Sequence, residues 1–196
     1  MTQHIFFTAD THYFHKKIQE YCVDTRPKGT VEEMNEFLIA AHNSRVKKND
    51  VIYFLGDFAF TNAENTKELI NRLNGKKHMI LGNHDAVIRK NKDIQEMFES
   101  VQNLKEISID KQKIVLCHFS MRIWNGMHWS GGSSKAAWHL YGHSHGSLEY
   151  VPYGKSMDVG VDARPQKDCA PWALEEISAI MRERPVLVVD HHGNGE

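Results

Sequence analysis

Between Asp10 and His145 a short apolar run stops five times at a cluster of aspartate, asparagine or histidine. Ile5-Phe6-Phe7 leads to Asp10-Thr11-His12, Val51 to Leu55 to Gly56-Asp57, and His78 to Leu81 to Gly82-Asn83-His84-Asp85. Ile114 to Cys117 ends at His118, and Leu140-Tyr141 at Gly142-His143-Ser144-His145. Polar side chains at strand ends are poor packing material, because each must find a partner or face water. In open α/β sheets ligands gather outside the carboxyl ends of the strands. Five such ends imply one shared site.

The intervening segments read as helices and strands of one domain covering all 196 residues, a length within the usual range for a single core. His4 to Thr8 and Val51 to Leu55 read as buried strands. Thr30 to Lys48 is predicted as a helix with a Thr30/Glu33 capping box and an inner face of Met34, Phe37, Leu38 and Ala41. Ala63 to Asn74 is predicted as a second helix, with Leu69, Ile70 and Leu73 inward and Gly75 at its end. Asp85 is placed to cap a third, containing Ile94, Met97, Phe98 and Val101, whose free amides would point at the site. From Leu104 onward short strand candidates (Leu104 to Ile109, Ile114 to His118, Ala137 to Tyr141, Ser147 to Val151, Met157 to Val161) suggest a second, more antiparallel sheet. A helix from Glu175 to Arg184 and a strand from Val186 to Val189 close the pattern. The glycine-rich segment Phe119 to Ala136, with Trp124 and Trp129, is long enough to be functional and is expected at the rim of the site.

Composition narrows the partners. The 24 basic residues balance 25 acidic ones, so no global field favours nucleic acid or membrane, and no extended nucleic-acid surface is expected. No window approaches the roughly 20 apolar residues of a membrane span. The 3 cysteines are irregularly spaced, which suggests neither a disulfide framework nor a cysteine zinc site and fits a reducing, cytoplasmic setting. Histidine is abundant, 13 in the chain, and His12, His84, His118, His143 and His145 fall in the polar clusters.

Asp10, His12, Asp57, Asn83, His118, His143 and His145 offer imidazole nitrogen, carboxylate oxygen and one amide oxygen. That is more than one divalent ion needs, and points to two ions sharing a carboxylate. Mixed nitrogen and oxygen ligands suit manganese, iron, nickel, zinc or cobalt better than calcium or magnesium. The two carboxylates leave such a pair of ions with net positive charge, so the substrate is expected to be an anion. The activated hydroxide of a dinuclear centre suits displacement at phosphorus. His84 is left over; it is assigned as general acid, with Asp85 to orient it. His15 and the arginines Arg26, Arg122 and Arg164 are candidates to touch phosphate; a surface role suits His15 at least as well, and for each arginine an exposed or structurally paired side chain is the favoured reading. Trp124 and Trp129 suit either a wall for a base or loop packing. His191-His192 fit a solvated tail. Cys117 and Arg122 lack the spacing of cysteine-dependent phosphatases.

Asp10/His12, Gly56-Asp57, Gly82 to Asp85, His118 and Gly142 to His145, in this order, resemble the calcineurin-like metallophosphoesterase superfamily. The likeness extends to its small stand-alone bacterial and phage members through Arg26-Pro27, Trp138 to Tyr141 and Gly160-Val161-Asp162. The resemblance implies a four-layered αββα sandwich. It assigns Asp10, His12, Asp57 and His145 to one metal and Asp57, Asn83, His118 and His143 to the other. The expected partner is a small phosphoester substrate such as a nucleotide. Phosphodiester hydrolysis is the leading expectation; a phosphomonoesterase of a small metabolite or nucleotide comes next and a nuclease third. A protein-binding scaffold on the same fold is the reading from another class. The Phe119 to Ala136 loop and the Pro165 to Trp172 segment depart from the family pattern and bear on substrate choice.

Overall fold

The computed structural model describes residues 3–131, 134–148 and 153–189. In chain order the elements are β1 (Ile5–Thr8), α1 (Ile18–Tyr21), α2 (Val31–Arg45), β2 (Val51–Leu55), α3 (Ala63–Arg72), β3 (Lys76–Ile80), α4 (Ala86–Lys90), α5 (Lys92–Gln95) and β4 (Ser100–Gln102). Then follow β5 (Leu104–Ile109), β6 (Gln112–Cys117), β7 (Ser130–Gly131), β8 (Ser134–Lys135), β9 (Trp138–Tyr141), β10 (Ser156–Asp158), β11 (Trp172–Ala173) and α6 (Leu174–Glu183).

Two sheets form an α/β sandwich. The first has the order β11-β1-β2-β3-β4, with β1 to β4 parallel and β11 antiparallel at the edge. The second has the order β10-β9-β6-β5. Period-two alternation sorts the side chains between layers. Phe7, Tyr53, Leu55 and Ile80 meet Ile114, Leu116, Leu140 and Met157 in a cluster that α6 closes with Ile177 and Met181. Phe6, Ile52, Phe54 and Met79 face the other way, onto Met34 and Leu38 of α2 and Leu69 and Ile70 of α3.

The second sheet departs from its expected pattern. Only β5 and β6 run antiparallel; β6-β9 and β9-β10 are parallel pairs. Parallel neighbours require a crossover, and that explains the length of the Phe119 to Ala136 segment: it carries the chain from β6 round to β9. On the way it covers the outer face of the sheet, Trp124 and Met127 packing on Val115 and Ala137, with the Trp124 indole N–H donating to the Ala137 carbonyl at 2.8 Å. Trp124 is therefore a packing residue, and Trp129 lies under the Lys113 ammonium, 5.0 Å from the ring centre.

The Thr30/Glu33 capping box is present, but the buried face of α2 is Met34, Asn35, Leu38, Ile39 and His42, while Phe37 is exposed. Two polar side chains with inward duties displaced the expected stripe. Asn35 accepts from the Phe14 amide at 2.9 Å, and His42 Nε2 meets the Asn74 carbonyl at 2.9 Å. The single helix expected after Asp85 is two short ones broken at Asn91, whose backbone is extended, and Val101 belongs to β4. Val186 to Val189 form no strand. Ser147 to Val151 lies partly, and His191-His192 wholly, outside the described residues. Among the described residues no helix is long and apolar enough to cross a membrane.

Candidate metal centre

The site is built by turns that leave β1, β2, β3, β6 and β9 side by side. Asp10, His12, Asp57, His143 and His145 all have positive φ, between 48° and 68°. Non-glycine residues rarely adopt that region, and such conformations persist only where surroundings hold them. Here backbone bonds do so: Asp10 N–H donates to Gly56 O at 3.0 Å and His12 N–H to Asp57 O at 3.0 Å. Close approach explains the glycines. A Cβ on Gly142 would lie 2.5 Å from the Ala9 methyl and 2.7 Å from Asp10 Oδ2, and one on Gly82 would overlap Asp57, 2.6 Å from its backbone nitrogen.

Asp57 is the hub. Its Oδ1 accepts the His84 amide at 2.9 Å, while Oδ2 lies 3.6 Å from His118 Nε2, 3.7 Å from His12 Nε2 and 4.0 Å from His84 Nε2. His118 faces the Leu55 carbonyl through Nδ1 at 2.7 Å. A carbonyl only accepts, so Nδ1 carries a proton, and in the neutral ring the Nε2 lone pair faces Asn83 Oδ1 at 3.1 Å as well as Asp57 Oδ2. Acceptors pointed at one another repel unless a cation lies among them.

Among the described residues three groups have the spacing to hold a metal ion: Asp10, His12 and His145; Asp57, His118 and His143; and Cys22, His145 and Asp162. In each, one ligand atom per residue lies within 4.8 Å of the others. Asp10 Oδ1 and both ring nitrogens of His12 are buried without a hydrogen-bond partner, a costly state in a protein interior. The electrostatics agree. Burial, then the charges of Asp158 and Asp57, push the Asp10 carboxyl well above its usual range. Burial, then His145, push the His12 imidazole down to about 2. A site that suppresses both its own anion and its own cation fits bound dications, which favour an ionised carboxylate and a neutral imidazole. The residues present fit metal ions.

His84 stands at the opening, its side chain 47% exposed, with Phe60 4.8 Å and His12 6.0 Å away between ring centres. Asp85 departs from its expected part. Its Oδ2 accepts the amides of Asp57 and Gly82 at 2.8 and 2.7 Å, and Oδ1 that of Phe58 at 2.9 Å. Both oxygens thus brace the β2 and β3 turns instead of orienting the His84 ring, and no side-chain bond from Asp85 caps α4. His15 stacks on Phe60 at 4.0 Å. Arg26 and Arg164 are buried and committed to carboxylates, Arg26 to Asp162 and Arg164 to Asp168 and Glu176; Arg122 is exposed.

Residues absent from the sequence-based site also contribute. Asp158 accepts from the Ser144 hydroxyl at 2.6 Å and the Gly146 amide at 2.9 Å, fixing the turn that carries His143 and His145. It ends β10, Ser156-Met157-Asp158, whose single apolar residue lacks the signature of the five clusters. Phe119 flanks His143, ring centres 4.8 Å apart, and is itself 46% exposed. A lone phenylalanine carries no such signal in a sequence.

The model of the calcineurin-like phosphoesterase superfamily domain matches residues 4–155. An uncharacterized protein of Methanocaldococcus jannaschii is 32% identical over 190 residues, covering 93% of this chain and 94% of the relative. The gene 66 protein of Mycobacterium phage L5 is 28% identical over 187 residues, covering 80% and 86%. The crystal structure of a protein of unknown function from Aquifex aeolicus is 21% identical and matches with a TM-score of 0.68, covering 91% of this chain and 100% of that one, a likeness of fold. The chain belongs to the calcineurin-like phosphoesterase superfamily, and its fold and metal-ligating clusters are those of a metal-dependent phosphoesterase.

Proposed function

We propose that this superfamily member hydrolyses phosphodiester bonds of a small substrate, such as a nucleotide, at a dinuclear centre. Asp10, His12, Asp57 and His145 would hold one divalent ion, and Asp57, Asn83, His118 and His143 the other. The observation that carries the reading is the convergence of His12 Nε2 and His118 Nε2 on Asp57 Oδ2, beside an Asp10 Oδ1 and His12 ring nitrogens that are buried without a hydrogen-bond partner. When bound, such ions lower the pKa of water toward neutrality and attract phosphoryl oxygens.

The chain's own groups supply the rest. Asp57 Oδ1 fixes the backbone of His84, so the imidazole is held at the mouth of the site, where it delivers a proton to the departing oxygen. Asp85 keeps the Asp57 and Gly82 turns rigid beneath it. The arginines favour a diester over a monoester. A monoester dianion calls for added positive charge, whereas Arg26 and Arg164 are both spent on carboxylates. The exposed Phe119 ring beside His143 suits an apolar or aromatic substituent on the phosphate.

The test compares bis(p-nitrophenyl) phosphate with p-nitrophenyl phosphate, using the purified chain loaded in turn with manganese, iron, nickel, zinc or cobalt, with a chelator control. Faster, chelator-sensitive cleavage of the diester is expected. Faster cleavage of the monoester would favour the phosphomonoesterase, and inertness toward both with every metal would revive the scaffold reading.

A further inference from the structure

Behind His145 lies a buried ion pair that the hydrolytic scheme above does not use. The His145 ring meets Asp162 Oδ2 through Nδ1 at 2.7 Å. An ionised carboxylate only accepts, so this contact demands the proton on Nδ1 and leaves the Nε2 lone pair for a ligand. Asp162 is kept ionised by Arg26, a guanidinium whose side chain is 0% exposed and which grips both oxygens, Nε to Oδ1 at 2.8 Å and Nη2 to Oδ2 at 2.7 Å. The Thr25 hydroxyl donates to Oδ1 as well.

Arg26 uses its remaining donors on the opposite side of the same metal group. Nη1 donates to the Thr11 carbonyl at 2.8 Å and Nη2 to the Asp10 carbonyl at 2.5 Å. These carbonyls belong to the turn that places Asp10 and His12. One buried cation therefore ties the Asp10–His12 turn to the carboxylate that sets the His145 tautomer. Cys22 Sγ also lies 3.6 Å from His145 Nδ1. Cys22, His145 and Asp162 nevertheless make a poor cation site, because Arg26, Thr25 and His145 already occupy both Asp162 oxygens. The other metal group is served by a separate device, the Leu55 carbonyl on His118.

We infer that Arg26 and Asp162 form a positioning pair for the Asp10–His12–His145 metal site alone, fixing the His145 tautomer and setting that site's affinity. The inference rests on the two-metal reading and adds to it an asymmetry between the sites. Orienting partners of metal-bound histidines commonly govern affinity by about 10- to 100-fold.

The first measurement needs no variant. Long-range nitrogen–proton correlation spectra of histidines in the metal-free wild-type chain are expected to show the His145 proton on Nδ1; a proton on Nε2 would overturn the inference. The second is manganese binding by calorimetry to wild type and Asp162→Asn. Two sites in wild type are expected, with one weakened about 10- to 100-fold in the variant and the other unchanged. A merely structural role would weaken both or neither, and either result in a folded variant overturns the inference while sparing the two-metal reading. A wild-type chain that binds no manganese overturns both.

Discussion

The two oxygens of Asp57 do different things: one holds the His84 backbone, and the other faces three imidazoles. His84 is therefore attached to the centre through its main chain while its ring stays free. His84→Ala should keep the metals and lose about 100- to 10,000-fold in turnover, more for alkyl than for aryl leaving groups; parallel metal analysis and steady-state rates check this. Asp85 makes the opposite case. Asp85→Ala strands three buried amides, those of Asp57, Phe58 and Gly82, and should cost on the order of 3 kcal/mol of stability in urea unfolding. The sequence pattern located both residues but not their division of labour, since a run of Asn-His-Asp does not reveal which side chain turns back into the core.

Among the elements, α2 shows how an inward polar group hides a helix face. His42 is buried against Phe54, ring centres 5.7 Å apart, and burial pushes its pKa down to about 4 although the Asn74 carbonyl opposes this. Its unfolded-state value is higher, near 6.5, so between these limits the unfolded chain binds the extra proton. Acidification from about pH 6.5 to 4 therefore destabilises the fold, by about 1.4 kcal/mol per pH unit for this group. Urea midpoints of the metal-free chain at pH 7 and pH 5 should fall less in His42→Gln than in wild type. Strand existence was legible because β1, β2, β6 and β9 are apolar runs. Direction was not: β6 and β9 are parallel only because the long segment between them returns over the sheet, and short strands carry no mark of the hand of their partners.

For the molecule as a whole, five strand ends distant in sequence meet because β1, β2 and β3 are parallel neighbours and β6 and β9 lie in the facing sheet. The order of the blocks was readable from residues 10 to 145; the buried pair behind them was less so. For Arg26 a structural pairing was the favoured reading over a phosphate contact, but only the fold identifies the partner as Asp162, 136 residues away. The most direct test of the centre is anomalous diffraction from crystals of the manganese-loaded chain, recorded at the metal's absorption edge. Two peaks are predicted, one against Asp10, His12 and His145, the other against Asn83, His118 and His143, with Asp57 between them. No peak, or peaks only at surface carboxylates, would contradict the account.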